Sequence, residues 1–192
     1  MGYSYLVAEL ILKENETLDI ICNDRLKMIQ RRDYYRFSID AILISNFVVL
    51  RKDERLLGIG CGSGVIPIYL TVIRGFVDNK MVGIEIQEGL YRLAFRNVVV
   101  NDCNNIEIIK GDVRSFLEHM KDAAFQVIVS NPPYTKRKTG RLSPSASRLI
   151  ARSELSLDLS SLFVYASKCL KRRGRLYLIY PARRFSELVS TG

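Results

Sequence analysis

Four consecutive residues, Asn131, Pro132, Pro133 and Tyr134, stand where an apolar run from Phe125 to Ser130 ends. Two prolines cannot donate backbone hydrogen bonds and hold φ at about −65°, so a strand must stop there and the chain must leave it along a stiff path. Such a turn presents carbonyl oxygens in a set direction. Asn131 adds a side-chain carbonyl beside them and Tyr134 a flat ring. Together they make a receptor for a planar group bearing an –NH2, with two acceptors for its hydrogens and an aromatic face for stacking. The same residues would also serve simply to end a strand, and their surroundings must decide between the two readings.

Three further groups of residues fall at corresponding places. Gly58-Ile-Gly60-Cys-Gly62-Ser-Gly64 follows a short apolar run, and glycines there allow a tight turn whose backbone N–H groups can approach a ligand. Glu85 comes 21 residues after Gly64, the usual distance for a carboxylate that accepts both hydroxyls of a ribose. Asp112 follows the next apolar run, where an acid can accept an adenine amino proton; for Glu85 and Asp112 alike, capping of the helix that follows is the structural alternative. The glycine spacing fits a dinucleotide site poorly, because G-x-G-x-x-G read from Gly60 meets Val65 and read from Gly58 meets Ser63. It fits better with a nucleoside cofactor lacking a pyrophosphate.

The elements that must position these residues can be read from periodicity. Short apolar strands are expected over Arg55 to Ile59, Met81 to Glu85, Ile106 to Ile109, Phe125 to Ser130 and Arg175 to Tyr180, with helices over Val65 to Arg74, Gly89 to Asn101, Val113 to Met120 and Glu154 to Leu170. Strands without polar alternation, joined by helices, predict an α/β fold with a doubly wound parallel sheet. In such a sheet ligands bind outside the carboxyl ends of the strands, which is where the four groups fall. Thr17 to Cys22 and Leu26 to Gln30, separated by Asn23-Asp24-Arg25, predict an N-terminal β-hairpin. Ser38 is a candidate N-cap for a helix carrying Ile39, Ile42, Leu43, Phe47 and Leu50. The expected organisation is a hairpin appendage over residues 1–36 and the main domain over 37–192.

With 29 Lys and Arg against 20 Asp and Glu, the chain carries +9, which suits a polyanionic partner, and nucleic acid before an anionic membrane. Its 48% hydrophobic content in 192 residues argues against disordered and fibrous classes. Cys22, Cys61, Cys103 and Cys169 are widely spaced and His119 is the single histidine, so no metal site is expected and a reducing, cytoplasmic location is. Glu9 and Lys13 interrupt the only apolar stretch near the N-terminus, and the uncharged run from Leu56 to Ile73 contains four glycines and Pro67; neither a secretion signal nor a membrane span is expected.

The chain resembles the class I S-adenosylmethionine-dependent methyltransferases that modify amino groups. Within them it is most similar to the bacterial tRNA(Val) adenine-37 N6-methyltransferase group. Three stretches carry the similarity: Ile29-Gln-Arg-Arg-Asp-Tyr-Tyr-Arg-Phe-Ser-Ile-Asp-Ala41, Gly60-Cys-Gly-Ser-Gly-Val-Ile-Pro67, and Asn131-Pro-Pro-Tyr134 followed by Ala151-Arg-Ser-Glu154. The resemblance implies that Gly60, Gly62 and Gly64 wrap the methionine end of S-adenosylmethionine, that Glu85 holds its ribose, that Asp112 meets its adenine and that Asp40 lies near the cofactor. It implies a Rossmann-like sheet, RNA and in particular tRNA as substrate, and Asn131, Pro132, Pro133 and Tyr134 as the catalytic turn.

Two departures stand out. Where the family usually carries an acid that orients the glycine loop, this chain has Gly58; losing a charge-assisted hydrogen bond of about 1.5–3 kcal/mol would weaken cofactor binding by about ten- to a hundredfold. The terminal antiparallel strand pair of the fold is also missing, so the edge of strand five is expected to be covered by another copy of the chain or by a segment outside a truncated sequence.

Between the catalytic turn and the next helix, Thr135 to Ser153 carries Lys136, Arg137, Lys138, Arg141, Arg148 and Arg152 with no acid, which suits a phosphate backbone, as does Lys171-Arg-Arg-Gly-Arg175. Other amino acceptors use the same turn: a protein glutamine amide, as in release-factor methyltransferases, or a base in DNA or rRNA. An inactive cofactor- or RNA-binding remnant is the reading that Gly58 keeps open.

Overall fold

The computed structural model describes residues 11–34, 36–119, 124–132 and 158–191. Strands β1 (Glu16–Ile21) and β2 (Leu26–Arg31) pair antiparallel, with Glu16 opposite Arg31 and Ile21 opposite Leu26. In the loop between them Cys22, Asn23 and Asp24 take φ of 57°, 53° and 62°, left-handed backbone that Asn and Asp tolerate. Helix α1 (Ile39–Phe47) follows. Ser38 occupies its N-cap position, but its hydroxyl donates to Asp40 Oδ2 at 3.2 Å and caps no helix N–H.

The alternation of strands and helices then produces the expected sheet. Strands β3 (Leu56–Ile59), β4 (Met81–Glu85), β5 (Ile106–Lys110), β6 (Phe125–Ser130) and β7 (Leu170–Leu178) lie in the order β5-β4-β3-β6-β7, all parallel. The connecting helices are α2 (Val65–Val72), α3 (Glu88–Val100), α4 (Val113–Glu118) and α5 (Leu159–Cys169), and α6 (Phe185–Thr191) follows β7. Among the described residues the sheet ends at β7. The run from Leu56 to Ile73 is thus a strand, a glycine loop and a helix, and no described helix is long and apolar enough to cross a membrane.

Successive strand residues enter two different cores, which is the period-two geometry of a sheet covered on both faces. Leu56, Met81, Val127 and Val129 pack with α1 and α2, while Leu57, Ile59, Val82, Ile84 and Ile128 pack with α4 and α5. The hairpin shares the first core, since Leu26 and Met28 are both fully buried in it. Its β1 strand is also anchored by charge. Both oxygens of Glu16 accept from Arg96 Nη1 on α3, at 2.7 and 2.8 Å, and one accepts from Lys13 N.

Strand β7 differs from expectation. It begins at Leu170 where Arg175 was expected, because its register against β6 jumps: Phe125 pairs with Leu170, but Val127 pairs with Arg175. Lys171, Arg172, Arg173 and Gly174 bulge out between these pairings, with Arg173 at φ 65°. A charged run cannot be buried between two helices, and bulging lets its side chains reach solvent.

The Glu16 pair gives the fold a pH dependence. Burial alone would raise the Glu16 carboxyl, but hydrogen bonds from Arg96 and Lys13 N outweigh it and hold the group below 4.5. Its contribution is therefore complete above about pH 4.5, the unfolded value, and disappears as pH falls through the lower folded value. In thermal melts between pH 7 and pH 3 the parent should lose stability more steeply than Glu16→Gln, which has no proton to take up. Parallel curves would show that the pair is not coupled to folding.

Candidate functional site

The parallel register brings four strand ends together. Ile59, Glu85, Lys110 and Ser130 close β3, β4, β5 and β6, and hydrogen bonds beyond the ladders lock them: Cys61 N to Ile84 O at 3.0 Å, Gly111 N to Glu85 O at 3.0 Å, and Ser130 Oγ to Ile59 O at 2.9 Å. Between β3 and α2 the chain turns through Gly60, Gly62 and Gly64 at φ 65°, 58° and 82°. These are left-handed conformations that L side chains avoid, and the glycines are required for that reason.

Glu85 organises the loop. Its Oε2 accepts from Gly62 N at 2.9 Å and its Oε1 from Gln87 N at 2.8 Å, while the side chain is almost wholly buried. Burial pushes this carboxyl above its ordinary range, against the opposing pull of the Gln87 and Gly62 N–H groups. Beside it, the Cys61 thiol is pushed well up by burial and then by the Glu85 charge, so it is neutral and no nucleophile.

A cleft opens over these ends, lined by Ile59, Gly60, Ile84, Ile86, Gly111, Asp112 and Val113. Three isoleucines and two glycines make flat apolar walls for a heterocycle, and Asp112 supplies an acceptor at the rim. Asp112 also caps α4: Oδ1 accepts from Arg114 N at 2.9 Å, and Oδ2 from Arg114 Nε at 3.0 Å and Nη2 at 2.5 Å. The Arg114 hydrogen bonds hold its carboxyl below the usual range. Asp112 thus caps the helix and lines the cleft at once, and a carboxylate with about four lone-pair sites keeps acceptor capacity beside these bonds.

The expected site residues fall into four sets. Gly60 and Asp112 line the cleft, and Glu85 and Gly62 are bonded to each other beside it. Asn131 and Pro132 follow β6 at the neighbouring strand end. Asp40 sits on the first turn of α1, bonded to Ser38, and does not line the cleft. Pro133, Tyr134, Lys136, Arg137, Lys138 and Arg141 lie outside the described residues. The Lys171 to Arg175 run is beside the amino end of β6, roughly 15–20 Å along the strand from Asn131.

Gly58 pairs with Gly83 across β3 and β4, and both face Cys61. A Cβ at Gly58 would find only ordinary contacts, the nearest being Cys61 Cβ and Val82 O at 3.7 Å, so the position accepts a Cβ without a clash. Sequence reasoning missed two structural contributors. Ser130 ties β6 to β3 through its hydroxyl, and Asn97, fully buried on α3, donates to Ser63 O at 3.0 Å. The signal for Asn97 was a polar residue on the apolar stripe formed with Leu90, Leu93 and Ala94.

The family model of the methyltransferase small domain matches residues 39–184. Among curated proteins, tRNA1(Val) (adenine(37)-N6)-methyltransferases are similar. The one from Tolumonas auensis is 27% identical over 162 residues, covering 84% of this chain and 65% of that protein. The one from Porphyromonas gingivalis is 35% identical over 138 residues, covering 70% and 52%. The chain thus spans 65% and 52% of the length of these two relatives. Two solved structures share the fold. TrmN from Thermus thermophilus superposes with a TM-score of 0.58 at 18% identity, over 79% of this chain and 40% of that one. TYW2 from M. jannaschii in complex with AdoMet gives 0.56 at 15%, over 84% and 61%.

The two glycines predict opposite responses. An alanine at Gly64 would be strained at φ 82° and its Cβ would lie 3.3 Å from both Ala94 Cβ and Ile68 Cδ1. Left-handed strain of about 1–2 kcal/mol and overpacking of about 1–3 kcal/mol together predict a loss of roughly 2–5 kcal/mol in denaturant melts for Gly64→Ala. Gly58→Ala, in a strand where its Cβ would meet only ordinary contacts, should change stability by less than about 1 kcal/mol. Equal losses at both sites would contradict the loop geometry.

Proposed function

Since this chain belongs to the methyltransferase small-domain family, we propose that it binds S-adenosylmethionine and transfers its methyl group to the exocyclic N6 amino group of adenine in RNA, with tRNA as the natural substrate. The observation that carries this reading is the convergence at one sheet edge of the left-handed glycine loop, the buried Glu85, the apolar cleft rimmed by Asp112, and the Asn131-Pro132 turn. The names of the similar curated proteins support the choice of substrate. A tRNA substrate implies a cytoplasmic site of action.

The residues fit the cofactor. Nothing lies within 4 Å of where a Cβ would stand at Gly60 or Gly62, so the loop backbone is open to a ligand. Gly60, Gly62 and Gly64 would hold the methionine portion, Glu85 the ribose hydroxyls and Asp112 the adenine amine, between the walls of Ile59, Ile84 and Ile86. The sulfonium supplies an electrophilic methyl group.

What remains for the protein is alignment. An adenine amine is a poor nucleophile because its lone pair is conjugated with the ring. Acceptance of its two hydrogens by the Asn131 side-chain oxygen and the Pro132 carbonyl favours a tetrahedral nitrogen with a directed lone pair. Pro133 keeps the turn stiff and Tyr134 stacks on the base once it has left its helix. Lys136, Arg137, Lys138 and Arg141 follow directly along the chain and would hold the RNA backbone.

Transfer of labelled methyl to bulk tRNA tests the reading. Removing a preorganised transition-state hydrogen bond should lower kcat by about 10²–10³-fold in Asn131→Ala, with cofactor affinity little changed. Cofactor titration should show Gly58→Asp binding about ten- to a hundredfold more tightly than the parent, as a charge-assisted bond of about 1.5–3 kcal/mol requires. Neutralising Lys136, Arg137 and Lys138 together should weaken RNA binding and flatten its salt dependence by about 0.7–0.9 per charge removed. Full transfer by Asn131→Ala would defeat the proposed role of the turn.

A further inference from the structure

Helix α3 faces the N-terminal hairpin with two asparagines one turn apart, and each acts as a missing strand partner for β2. Asn97 Oδ1 accepts from Ile29 N at 2.7 Å and its Nδ2 donates to Ile29 O at 3.1 Å. Asn101 repeats the pattern at Lys27, accepting from its N at 3.0 Å and donating to its O at 2.6 Å. The match is geometric: four helical residues advance about 6 Å, and two strand residues about 6.6 Å. The outward backbone groups of β2 at Lys27 and Ile29 are thus satisfied by side chains.

Asn101 adds only a bond within its own helix, from Nδ2 to Asn97 O at 2.8 Å, whereas Asn97 reaches a third element. Asn97 Nδ2 also donates to Ser63 O at 3.0 Å, so its amide joins the hairpin to the glycine loop, and the residue is fully buried. One turn earlier on the same face, Ala94 lies 3.3 Å from where a Cβ at Gly64 would stand. With the Ser63 carbonyl held, the next peptide plane is fixed, and Gly64 N accordingly points back to Cys61 O at 2.9 Å. Glu85 fixes Gly62 independently. The hairpin segment is fastened to α3 at two further points: the Glu16–Arg96 ion pair, and Tyr34, whose ring occupies the space a Cβ at Gly89 would need.

We propose that Asn97 is a positioning residue that makes the N-terminal hairpin part of the cofactor site, holding the glycine loop in its binding shape through Ser63 and coupling cofactor affinity to hairpin docking. The proposal rests on the reading of that loop as the S-adenosylmethionine site. Coupling is reciprocal: bound cofactor should slow amide exchange at Ile29, on the hairpin, as firmly as Asn97 strengthens cofactor binding.

Residue-resolved amide exchange and S-adenosylhomocysteine titration, on the parent, Asn97→Ala and Asn101→Ala, test it. Asn97→Ala should speed exchange at Gly62, Ser63 and Gly64 at least tenfold, weaken S-adenosylhomocysteine about tenfold, and raise KM for the cofactor more than it lowers kcat. Asn101→Ala loosens the same strand without touching the loop, and should change loop exchange and affinity much less than Asn97→Ala does. If Asn97→Ala does not fold, Asn97→Asp keeps an acceptor for Ile29 N while losing the Nδ2 donor to both Ser63 O and Ile29 O, and should show the same effect on the loop. A uniform rise in exchange through β3 and β4, or equal loop effects in the two asparagine variants, would overturn the proposal. So would unaltered S-adenosylhomocysteine affinity in Asn97→Ala, with the cofactor reading left standing. Loop-specific exchange in a parent that takes up no S-adenosylhomocysteine would do the reverse, leaving Asn97 as the loop's support and removing the cofactor.

Discussion

The hydrogen bond from Gly62 N to the buried Glu85 carboxylate is the constraint on which the rest of the site depends. A loop with three left-handed glycines has no intrinsic reason to hold one shape, because glycine gives up more conformational entropy on ordering than any other residue. Glu85 supplies the reason from the neighbouring strand. It can do so because β3 and β4 are parallel and in register, Ile59 opposite Ile84, so that the loop leaves β3 beside the end of β4. Register, carboxylate and loop therefore stand or fall together. The raised carboxyl of Glu85 shows that holding this charge out of water is unfavourable, and its backbone donors are what make it tolerable.

Much of this was legible in the sequence, for identifiable reasons. Met81–Glu85 and Phe125–Ser130 were found to the residue because strands buried on both faces are uninterrupted apolar runs with sharp ends. The hairpin turn was legible from Asn23 and Asp24, whose short side chains suit positive φ. The positions of Gly60, Glu85 and Asp112 followed from the rule that ligands meet parallel sheets at the carboxyl ends.

What was not legible depends on long-range packing. Nothing local distinguishes a strand from a strand with a bulge, so the start of β7 at Leu170 became visible only from its pairing with Phe125. The hairpin reads as a separate two-stranded unit, yet Leu26 and Met28 are in the main core and Asn97 lies between hairpin and loop. Ser38 has the residue type of a helix cap but bonds to Asp40 instead, a choice between accepting from a helix N–H and donating to a side-chain carboxylate that spacing does not settle. The basic residues show the same limit. Composition gives the +9, but only the register separates the Lys171 to Arg175 run from the strand ends where Asn131 stands.

Nucleoside mass spectrometry of tRNA incubated with the purified chain and methyl-labelled S-adenosylmethionine tests the central claim most directly. The expected product is labelled N6-methyladenosine, a methylated exocyclic amine of the kind the proposed Asn131-Pro132 receptor would take. Label in a protein glutamine amide, on a ring nitrogen or a ribose oxygen, or in no product while the cofactor binds, would contradict it.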